Sequence, residues 1–241
     1  MPNDYFQFQQ FRIEQAACAM KVSTDACVLG ASVDLIGATR LLDIGTGTGL
    51  LALMAAQRHP TVAIEAVEID PAAAAQAAAN AAASPWGPRV RVHPLSLAGY
   101  AATGPAPFSH IVCNPPFFQG ALRSPHAART TARHAAPDTL TFTEISRFAA
   151  NFLVPGGRLT VLLPVPEMAR FVADAAAVGL QPATRLALRH RLGSRVLRHI
   201  VALGRDPGPL VVQELAFRTA DNDSVYTATF QALLAGFYLA F

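Results

Sequence analysis

Short apolar runs of β-strand character alternate along this chain with longer stretches of helical character. We place strands at Leu41–Gly45, Val62–Glu68, Arg89–His93, Phe108–Cys113 and Arg158–Leu163. We place helices between or after them at Leu50–Arg58, Pro71–Ala83, Thr143–Leu153 and Glu167–Val178. Strands that are joined through helices pair in parallel, so this alternation predicts an α/β fold with a doubly wound sheet and helices on both faces.

The C-terminal part of the chain follows a different pattern. Two further apolar runs, Ala183–His190 and Val196–Leu203, are separated by a turn that contains Gly193 and Ser194, as in a β-hairpin. We therefore expect a mostly parallel, seven-stranded sheet whose C-terminal hairpin supplies antiparallel edge strands. The 241 residues suit one domain of this kind, with residues 1–38 as an N-terminal extension.

The composition argues against several classes of protein. The mean hydropathy is +0.31, but much of the apolar content is alanine and no window of about 20 residues is apolar throughout. The N-terminus lacks the basic-then-apolar pattern of a signal peptide. The three cysteines form neither a CxxC motif nor a Cys/His cluster, which argues against a disulfide framework or a zinc site. We expect a cytoplasmic monomer that binds no metal and no membrane.

The basic residues are concentrated in two acid-free stretches. No acidic residue lies between Asp70 and Asp138, whereas that interval holds five arginines. A second acid-free stretch, Thr184–Arg205, carries six arginines. Arginine binds phosphate through two parallel hydrogen bonds and stacks on bases, so we expect an anionic partner, with nucleic acid the first choice. An arginine-rich solvated surface is the alternative interpretation.

A glycine-rich loop follows the first predicted strand of the sheet. Gly45-Thr46-Gly47-Thr48-Gly49 separates that strand from a helix, and glycine there permits positive φ and close approach of the backbone to a ligand. A dinucleotide fingerprint needs GxGxxG, but Leu50 stands at the place of its third glycine. A phosphate-binding Walker loop needs Gly-Lys-Ser/Thr, which is absent. The loop therefore disfavours a pyrophosphate ligand.

An acidic residue at the end of the second strand complements this loop. Glu68 lies 23 residues after Gly45, where a carboxylate in a doubly wound sheet accepts hydrogen bonds from both ribose hydroxyls. Strand alternation puts Asp70, the rival carboxylate, on the same face as Glu68, with Ile69 on the other. The loop Asp43–Gly49 and the following VEIDP stretch together resemble the class I S-adenosylmethionine-dependent methyltransferases.

This resemblance implies S-adenosylmethionine as the cofactor. It would contact the glycine loop and its neighbours, namely Asp43, Gly45, Thr46, Gly47, Gly49, Glu68 and Ile69, and also Asn114 after the fourth strand. Glu68 would bind the ribose, Ile69 would pack on the adenine, and Asp43 would orient the loop or receive the methionine amine through water. The family's acidic residue after the third strand, which binds the adenine amine, is missing here, and Ser96 is the candidate substitute.

A second motif, Asn114-Pro115-Pro116-Phe117, follows the fourth strand. An exocyclic amine on a ring is a poor nucleophile because its lone pair is delocalised; acceptors that grip its N–H groups favour a pyramidal nitrogen and stabilise the developing positive charge. The Asn114 side-chain oxygen and the Pro115 carbonyl are suitable acceptors, and Phe117 is placed to stack on the target ring. The motif predicts methylation of a planar nitrogen beside the cofactor methyl; a proline-stiffened turn is the alternative.

Both ends of the chain indicate a particular family within this class of methyltransferases. The aromatic pattern of residues 6–13, the stretch Met20–Asp25 and the C-terminal stretch Tyr226–Leu239 resemble the bacterial tRNA(Val) methyltransferases that modify the exocyclic amine of adenine 37. The resemblance covers nearly the whole chain and implies tRNA as the partner, with the adenine flipped out of the anticodon loop. It also implies RNA-binding residues, namely Lys21, Arg123, Arg129 and Arg133.

The same resemblance places Thr24 and Asp25 beside the methionine end of the cofactor. Either residue is also suited to cap a helix that runs through Val28–Leu35. Lys21 is suited to a cofactor carboxylate or an RNA phosphate, or is simply solvated.

The same motif also serves enzymes that methylate exocyclic amines in DNA and in other RNAs, so the nucleic acid stays open. Two functions of other classes stay open as well. Protein glutamine methyltransferases use the same Asn-Pro-Pro-aromatic motif, but they usually carry a longer N-terminal substrate domain than the stretch that precedes Leu41 here. A non-catalytic nucleotide-binding module is the second alternative, and the presence of both motifs argues against it.

Overall fold

The computed structural model describes residues 4–116, 140–206, 208–222 and 224–239. The β-strands in these ranges are β1 Tyr5–Gln7, β2 Arg12–Glu14, β3 Arg40–Ile44, β4 Ala63–Val67, β5 Val90–His93, β6 Phe108–Cys113, β7 Leu153–Pro164, β8 Gln181–Arg191, β9 Val196–Gly204 and β10 Val211–Arg218. The α-helices are α1 Thr24–Ser32, α2 Leu50–Arg58, α3 Pro71–Ala82, α4 Leu97–Ala102, α5 Phe142–Phe152, α6 Val165–Ala176 and α7 Ala228–Leu234. None of these helices is both long and apolar enough to cross a membrane.

One large sheet organises the molecule. Its strand order is β10-β8-β9-β7-β6-β3-β4-β5, and β9 runs antiparallel to both of its neighbours while the other adjacent pairs are parallel. The predicted α/β fold, with a mostly parallel sheet and an antiparallel C-terminal hairpin, is confirmed.

In the part of the chain that the structure describes, the sheet has eight strands, so the prediction of seven was wrong, as was the prediction that the hairpin forms the edge. The additional strand, β10, pairs in parallel with β8 and takes the edge position. The first half of β10 is exposed and only Leu215, Ala216 and Phe217 are buried, so its sequence lacks the apolar run that marks the inner strands. Within the hairpin, β9 is an interior strand.

A second difference concerns the end of the helix predicted at Thr143–Leu153, which lies just before Pro155-Gly156-Gly157. Helix α5 already ends at Phe152, and β7 begins at Leu153. The pairing register with β6 shifts between Phe108 and His110, so the proline–glycine stretch forms an irregularity inside β7. Gly156, at φ 76°, has the positive φ that such a distortion requires.

The sheet separates two apolar clusters, because successive residues of a buried parallel strand point to opposite faces. Leu41 of β3 packs with α1 and α2 in one cluster, whereas its neighbour Leu42 packs with α5 and α6 in the other. Helix α2 is buried from Leu50 to Ala56, as expected for an alanine- and leucine-rich helix that lies flat on a sheet.

The N-terminal hairpin is attached to the sheet region through one buried amide. The Asn80 side chain in α3 accepts a hydrogen bond from the Glu14 N–H (3.0 Å) and donates to the Glu14 carbonyl (2.8 Å). It also donates to the Thr48 carbonyl in the glycine loop (2.9 Å). A single side chain therefore joins β2, α3 and the loop that follows β3.

We predict that Asn80→Ala lowers the free energy of unfolding by about 2–3 kcal/mol, because buried backbone groups of Glu14 and Thr48 lose their partners. Denaturant unfolding measures this change. Asn151→Ala, which truncates an exposed asparagine of α5, is the control and should cost much less. Equal losses in the two variants would contradict the bridging role of Asn80.

Candidate active site

The two sequence motifs meet where the strand order of the sheet reverses. From β3 the chain proceeds to β4 and β5 on one side, whereas from β6 it proceeds to β7 on the other. Ile44 at the end of β3 pairs with Cys113 at the end of β6, so Gly45 and Asn114 leave neighbouring strands side by side. Ligands of doubly wound sheets bind in the crevice at such a switch point, outside the carboxyl ends of the strands.

Glycine is required in the loop after β3. Gly45, Gly47 and Gly49 have φ values of 67°, 54° and 84°, a region that side chains with a Cβ disfavour. The N–H groups of Gly45 and Thr46 both donate to the Val67 carbonyl, at 2.9 and 3.0 Å. The loop therefore folds back onto the end of β4 before α2 begins at Leu50.

The Glu68 carboxylate fastens this loop to β4. One oxygen accepts the Gly47 N–H (2.9 Å) and the other accepts the Asp70 N–H (3.0 Å). Each carboxylate oxygen has a second lone pair, so the group is able to accept ribose hydroxyls as well. The rival Asp70 caps α3 and accepts the Ala72 N–H at 2.8 Å, which gives its side chain a structural task.

Asp43 supports the loop from below. It is fully buried, and its Oδ2 accepts the Thr46 hydroxyl (2.6 Å) and the Ala52 N–H (3.3 Å). Its Oδ1 is buried and has no hydrogen-bond partner among the described residues. Burial raises the pKa of the Asp43 carboxyl to about 7, against the lowering effect of the Thr46 and Ala52 hydrogen bonds.

A cleft of about 430 Å³ opens beside the loop, a size typical of small-molecule sites. Ile69 and Leu95 are 44% and 37% exposed and line the cleft, where they provide apolar surface for a ring. The cleft is lined by Cys18, Ala19, Met20, Ile44, Gly45, Gly47, Val67, Glu68, Ile69, Asp70, Ala73, Leu95, Ser96, Leu97, Ala98, Pro116, Leu140 and Glu144.

Several predicted cofactor residues meet in this cleft, namely Gly45, Gly47, Glu68, Ile69 and Ser96. Ser96 also caps α4 by accepting the Gly99 N–H at 3.0 Å. Asn114 is half-buried and Pro115 is buried, while the adjoining Pro116 reaches the cleft wall. Four further residues predicted to contact the cofactor do not line the cleft, namely Asp43, Thr46, Gly49 and Asn114. The first three belong to the layer that shapes the loop.

Thr24 and Asp25 lie away from this wall. The residue that caps α1 is Ser23, whose side chain accepts the Ala26 N–H, so the prediction of a Thr24 or Asp25 cap was wrong. The helix also ends at Ser32 rather than at Leu35, because the chain turns at Val33. Asp25 forms an ion pair with Arg198 of β9 instead.

The predicted RNA-binding residues are only partly described. Lys21 is exposed and lies 3.8 Å from the Asp4 carboxylate, a weak surface contact. Phe117, Arg123, Arg129 and Arg133 lie outside the described residues. Their assigned roles stay predictions.

Sequence reasoning missed Glu144. It stands in the first turn of α5, where its carboxylate accepts the N–H and the hydroxyl of Thr141 in a capping box. The T-x-x-E pattern predicts such a box. Its position on the cleft depends on the packing of α5 against α4, which no local pattern shows. The loop directly after β5 contributes no acidic residue to the cleft. Glu144 of α5 brings a carboxylate, and so a hydrogen-bond acceptor, to the same cleft.

The glycine loop, the Glu68 carboxylate and the switch-point cleft together define a class I S-adenosylmethionine-dependent methyltransferase. The chain belongs to the methyltransferase small domain family, whose model matches residues 22–166. It is 39% identical to the tRNA1(Val) (adenine(37)-N6)-methyltransferase of Dickeya chrysanthemi, over 98% of this chain and 94% of the relative. Its counterpart of the same name in Yersinia pestis is 38% identical, over 97% of this chain and 93% of the relative.

Solved structures share the fold. A predicted O-methyltransferase from Agrobacterium tumefaciens superposes with a TM-score of 0.65 at 19% identity, over 88% of this chain and 96% of that one. A methyltransferase from Pyrococcus furiosus gives a TM-score of 0.57 at 19% identity, over 81% and 89%. These similarities support the arrangement of the sheet and its helices.

S-adenosylmethionine is the cofactor of this class, and the residues present fit it. Glu68 offers lone pairs to a ribose, Ile69 and Leu95 offer apolar surface to an adenine, and the buried Oδ1 of Asp43 leaves acceptor capacity near the loop. The acidic residues at the cleft also suit a cofactor that carries a positively charged sulfonium.

The buried Asp43 predicts a pH effect on stability. The folded protein protonates this carboxyl below about pH 7, whereas the unfolded chain ionises it near pH 4. The protonated Asp43 carboxyl therefore contributes its full stabilisation below about pH 4, and this stabilisation is lost as the pH rises through 7. Between pH 5 and 8, the unfolding free energy of the parent should fall relative to that of Asp43→Asn by on the order of 3 kcal/mol. Parallel pH profiles would contradict this assignment.

Proposed function

We propose that this chain transfers the methyl group of S-adenosylmethionine to the exocyclic N6 amine of adenine 37 in tRNA1(Val). The observation that carries the proposal is the juxtaposition of Asn114 with the glycine loop at the switch point of the sheet. Relatives that cover nearly the whole chain carry this activity in their names, which supports the choice of substrate.

The residues of the chain contribute by binding and positioning. When bound, S-adenosylmethionine supplies an electrophilic methyl group on a sulfonium. Glu68 would hold the ribose and the glycine loop would hold the methionine end of the cofactor, beside the strand that leads to Asn114. Because the glycine loop and Asn114 follow neighbouring strands at one edge of the sheet, the sheet would fix the distance between donor and acceptor, which removes much of the entropic part of the barrier.

Asn114 and Pro115 prepare the target nitrogen. The Asn114 side-chain oxygen and the Pro115 carbonyl accept hydrogen bonds from the two amine hydrogens, and these bonds strengthen as positive charge develops on nitrogen. Pro115 is buried, and two consecutive prolines restrict the backbone, so both acceptors are held in place before the base arrives. The product ammonium loses its proton to water, and we assign no general base.

The substrate is tested with purified protein, methyl-labelled S-adenosylmethionine and tRNA from cells that lack this modification. A release-factor preparation is treated in parallel, and labelled products are identified after digestion. The proposal requires label in N6-methyladenosine from tRNA. Label in glutamine would contradict tRNA as the substrate, although the assignment as a methyltransferase would stand.

We predict that Asn114→Ala lowers kcat by about 10²–10³-fold, because it removes an acceptor used in the transition state. Affinity for S-adenosylhomocysteine, measured by calorimetry, should stay close to that of the parent. Asn114→Asp keeps an acceptor oxygen and should retain clearly more activity than Asn114→Ala. A parallel loss of cofactor affinity would place Asn114 in cofactor binding instead.

A further inference from the structure

We infer that Glu144 of α5 accepts a hydrogen bond from the exocyclic amine of the cofactor adenine, and that it thereby selects an adenine cofactor. The segment directly after β5, where the class I resemblance places an acidic residue for this contact, brings no carboxylate to the cleft. The inference goes beyond the proposed function, since it concerns recognition of the cofactor and does not depend on the choice of tRNA.

The walls of the cleft indicate where the adenine amine would lie. Glu68 at the end of β4 offers acceptors to a ribose, while Ile69 and Leu95 offer apolar surface to the adenine. In adenosine the amine is at the opposite end of the ring system from the ribose. Asp70, whose N–H donates to Glu68, stands at the ribose end. The amine would therefore point away from both of these carboxylates, toward the wall that follows β5.

Two helices bring Glu144 to that wall. Helices α4 and α5 each lead from the carboxyl end of one parallel strand to the amino end of the next, so both begin at the carboxyl edge of the sheet. They pack against each other through Tyr100 and Phe148, two buried residues whose ring centroids lie 6.3 Å apart. Glu144 stands one turn before Phe148, and Ser96 stands one turn before Tyr100. Glu144 is thus on the face of α5 that meets α4, beside the segment after β5.

The Glu144 carboxylate is oriented by one oxygen and has capacity left on the other. Its Oε2 accepts the N–H and the hydroxyl of Thr141, at 2.8 and 2.7 Å, which holds the group over the first turn of α5. Its Oε1 accepts no hydrogen bond within the part of the chain that the structure describes. The capping box therefore places an acceptor on the cleft wall before a ligand arrives, which lowers the entropic cost of the contact.

Ser96 is the other candidate acceptor on this wall. Its hydroxyl already accepts the Gly99 N–H at 3.0 Å, as the cap of α4. A carboxylate forms stronger hydrogen bonds than a neutral hydroxyl, because the acceptor is ionised. We therefore assign the adenine amine to Glu144, with Ser96 retaining its capping role.

The test measures, by calorimetry, how the full chain binds S-adenosylhomocysteine and its deamino analogue, in which purine replaces adenine. The parent should bind S-adenosylhomocysteine about tenfold more tightly than the analogue, because the analogue lacks the donor for a charge-assisted hydrogen bond. Glu144→Ala should bind S-adenosylhomocysteine about tenfold more weakly than the parent and should lose the preference between the two ligands. Glu144→Gln keeps an acceptor oxygen and the capping box, so it should keep part of the preference.

Two controls separate recognition of the amine from support of the helix. Thr141→Ala removes the capping hydroxyl but leaves the Glu144 carboxylate, so it should keep the preference of the parent. The deamino analogue should bind equally to the parent and to Glu144→Ala, which shows that the cleft of the variant is intact.

A preference in Glu144→Ala as large as that of the parent would overturn the inference. An equal loss of preference in Thr141→Ala would also overturn it, since the effect would then follow the helix cap. Loss in Ser96→Ala with no loss in Glu144→Ala would place the contact at Ser96. All of these results leave the tRNA substrate untouched, because methylation of tRNA tests it separately. If the parent binds neither ligand, this inference falls together with the assignment of the cofactor.

Discussion

The hydrogen bond from the Gly47 N–H to the Glu68 carboxylate is the contact on which the rest of the site depends. It joins the loop after β3 to the end of β4, two segments that the sheet brings together only at its carboxyl edge. Around it, Asp43 holds the loop from the core and Asn80 holds the Thr48 carbonyl from α3. Glu68, Asp43 and Asn80 thus hold the loop by hydrogen bonds from three sides. On the side of the cleft, the Glu68 carboxylate has lone pairs left for a ligand.

Charge is divided along the same edge of the sheet. The cofactor cleft gathers carboxylates, with Glu68, Asp70 and Glu144 on its walls, whereas the end formed by β8–β10 gathers arginines. The carboxylates of the cleft suit a cofactor that carries a cationic sulfonium. Asn114 follows β6, the strand that pairs with β3, and so leaves the sheet beside the glycine loop.

Local patterns were sufficient to predict the central sheet and the glycine loop, because both depend on neighbouring residues and strand alternation. Helix α2 and strand β6 have the predicted bounds. The failures share a cause, which is that tertiary contacts decide the outcome. Half of β10 is exposed and is ordered by pairing with β8. Ser23 caps α1, while Asp25 in its first turn pairs with Arg198 of β9. Helix packing brings Glu144 to the cleft.

The central claim is that Glu68 and the glycine loop hold the cofactor with its reacting end toward Asn114. A crystal structure of the chain with S-adenosylhomocysteine tests it most directly. The account predicts both ribose hydroxyls within hydrogen-bond distance of the Glu68 carboxylate, the adenine between Ile69 and Leu95, and the sulfur facing Asn114. A cofactor bound in this cleft with its ribose away from Glu68, or its sulfur turned from Asn114, would contradict the account.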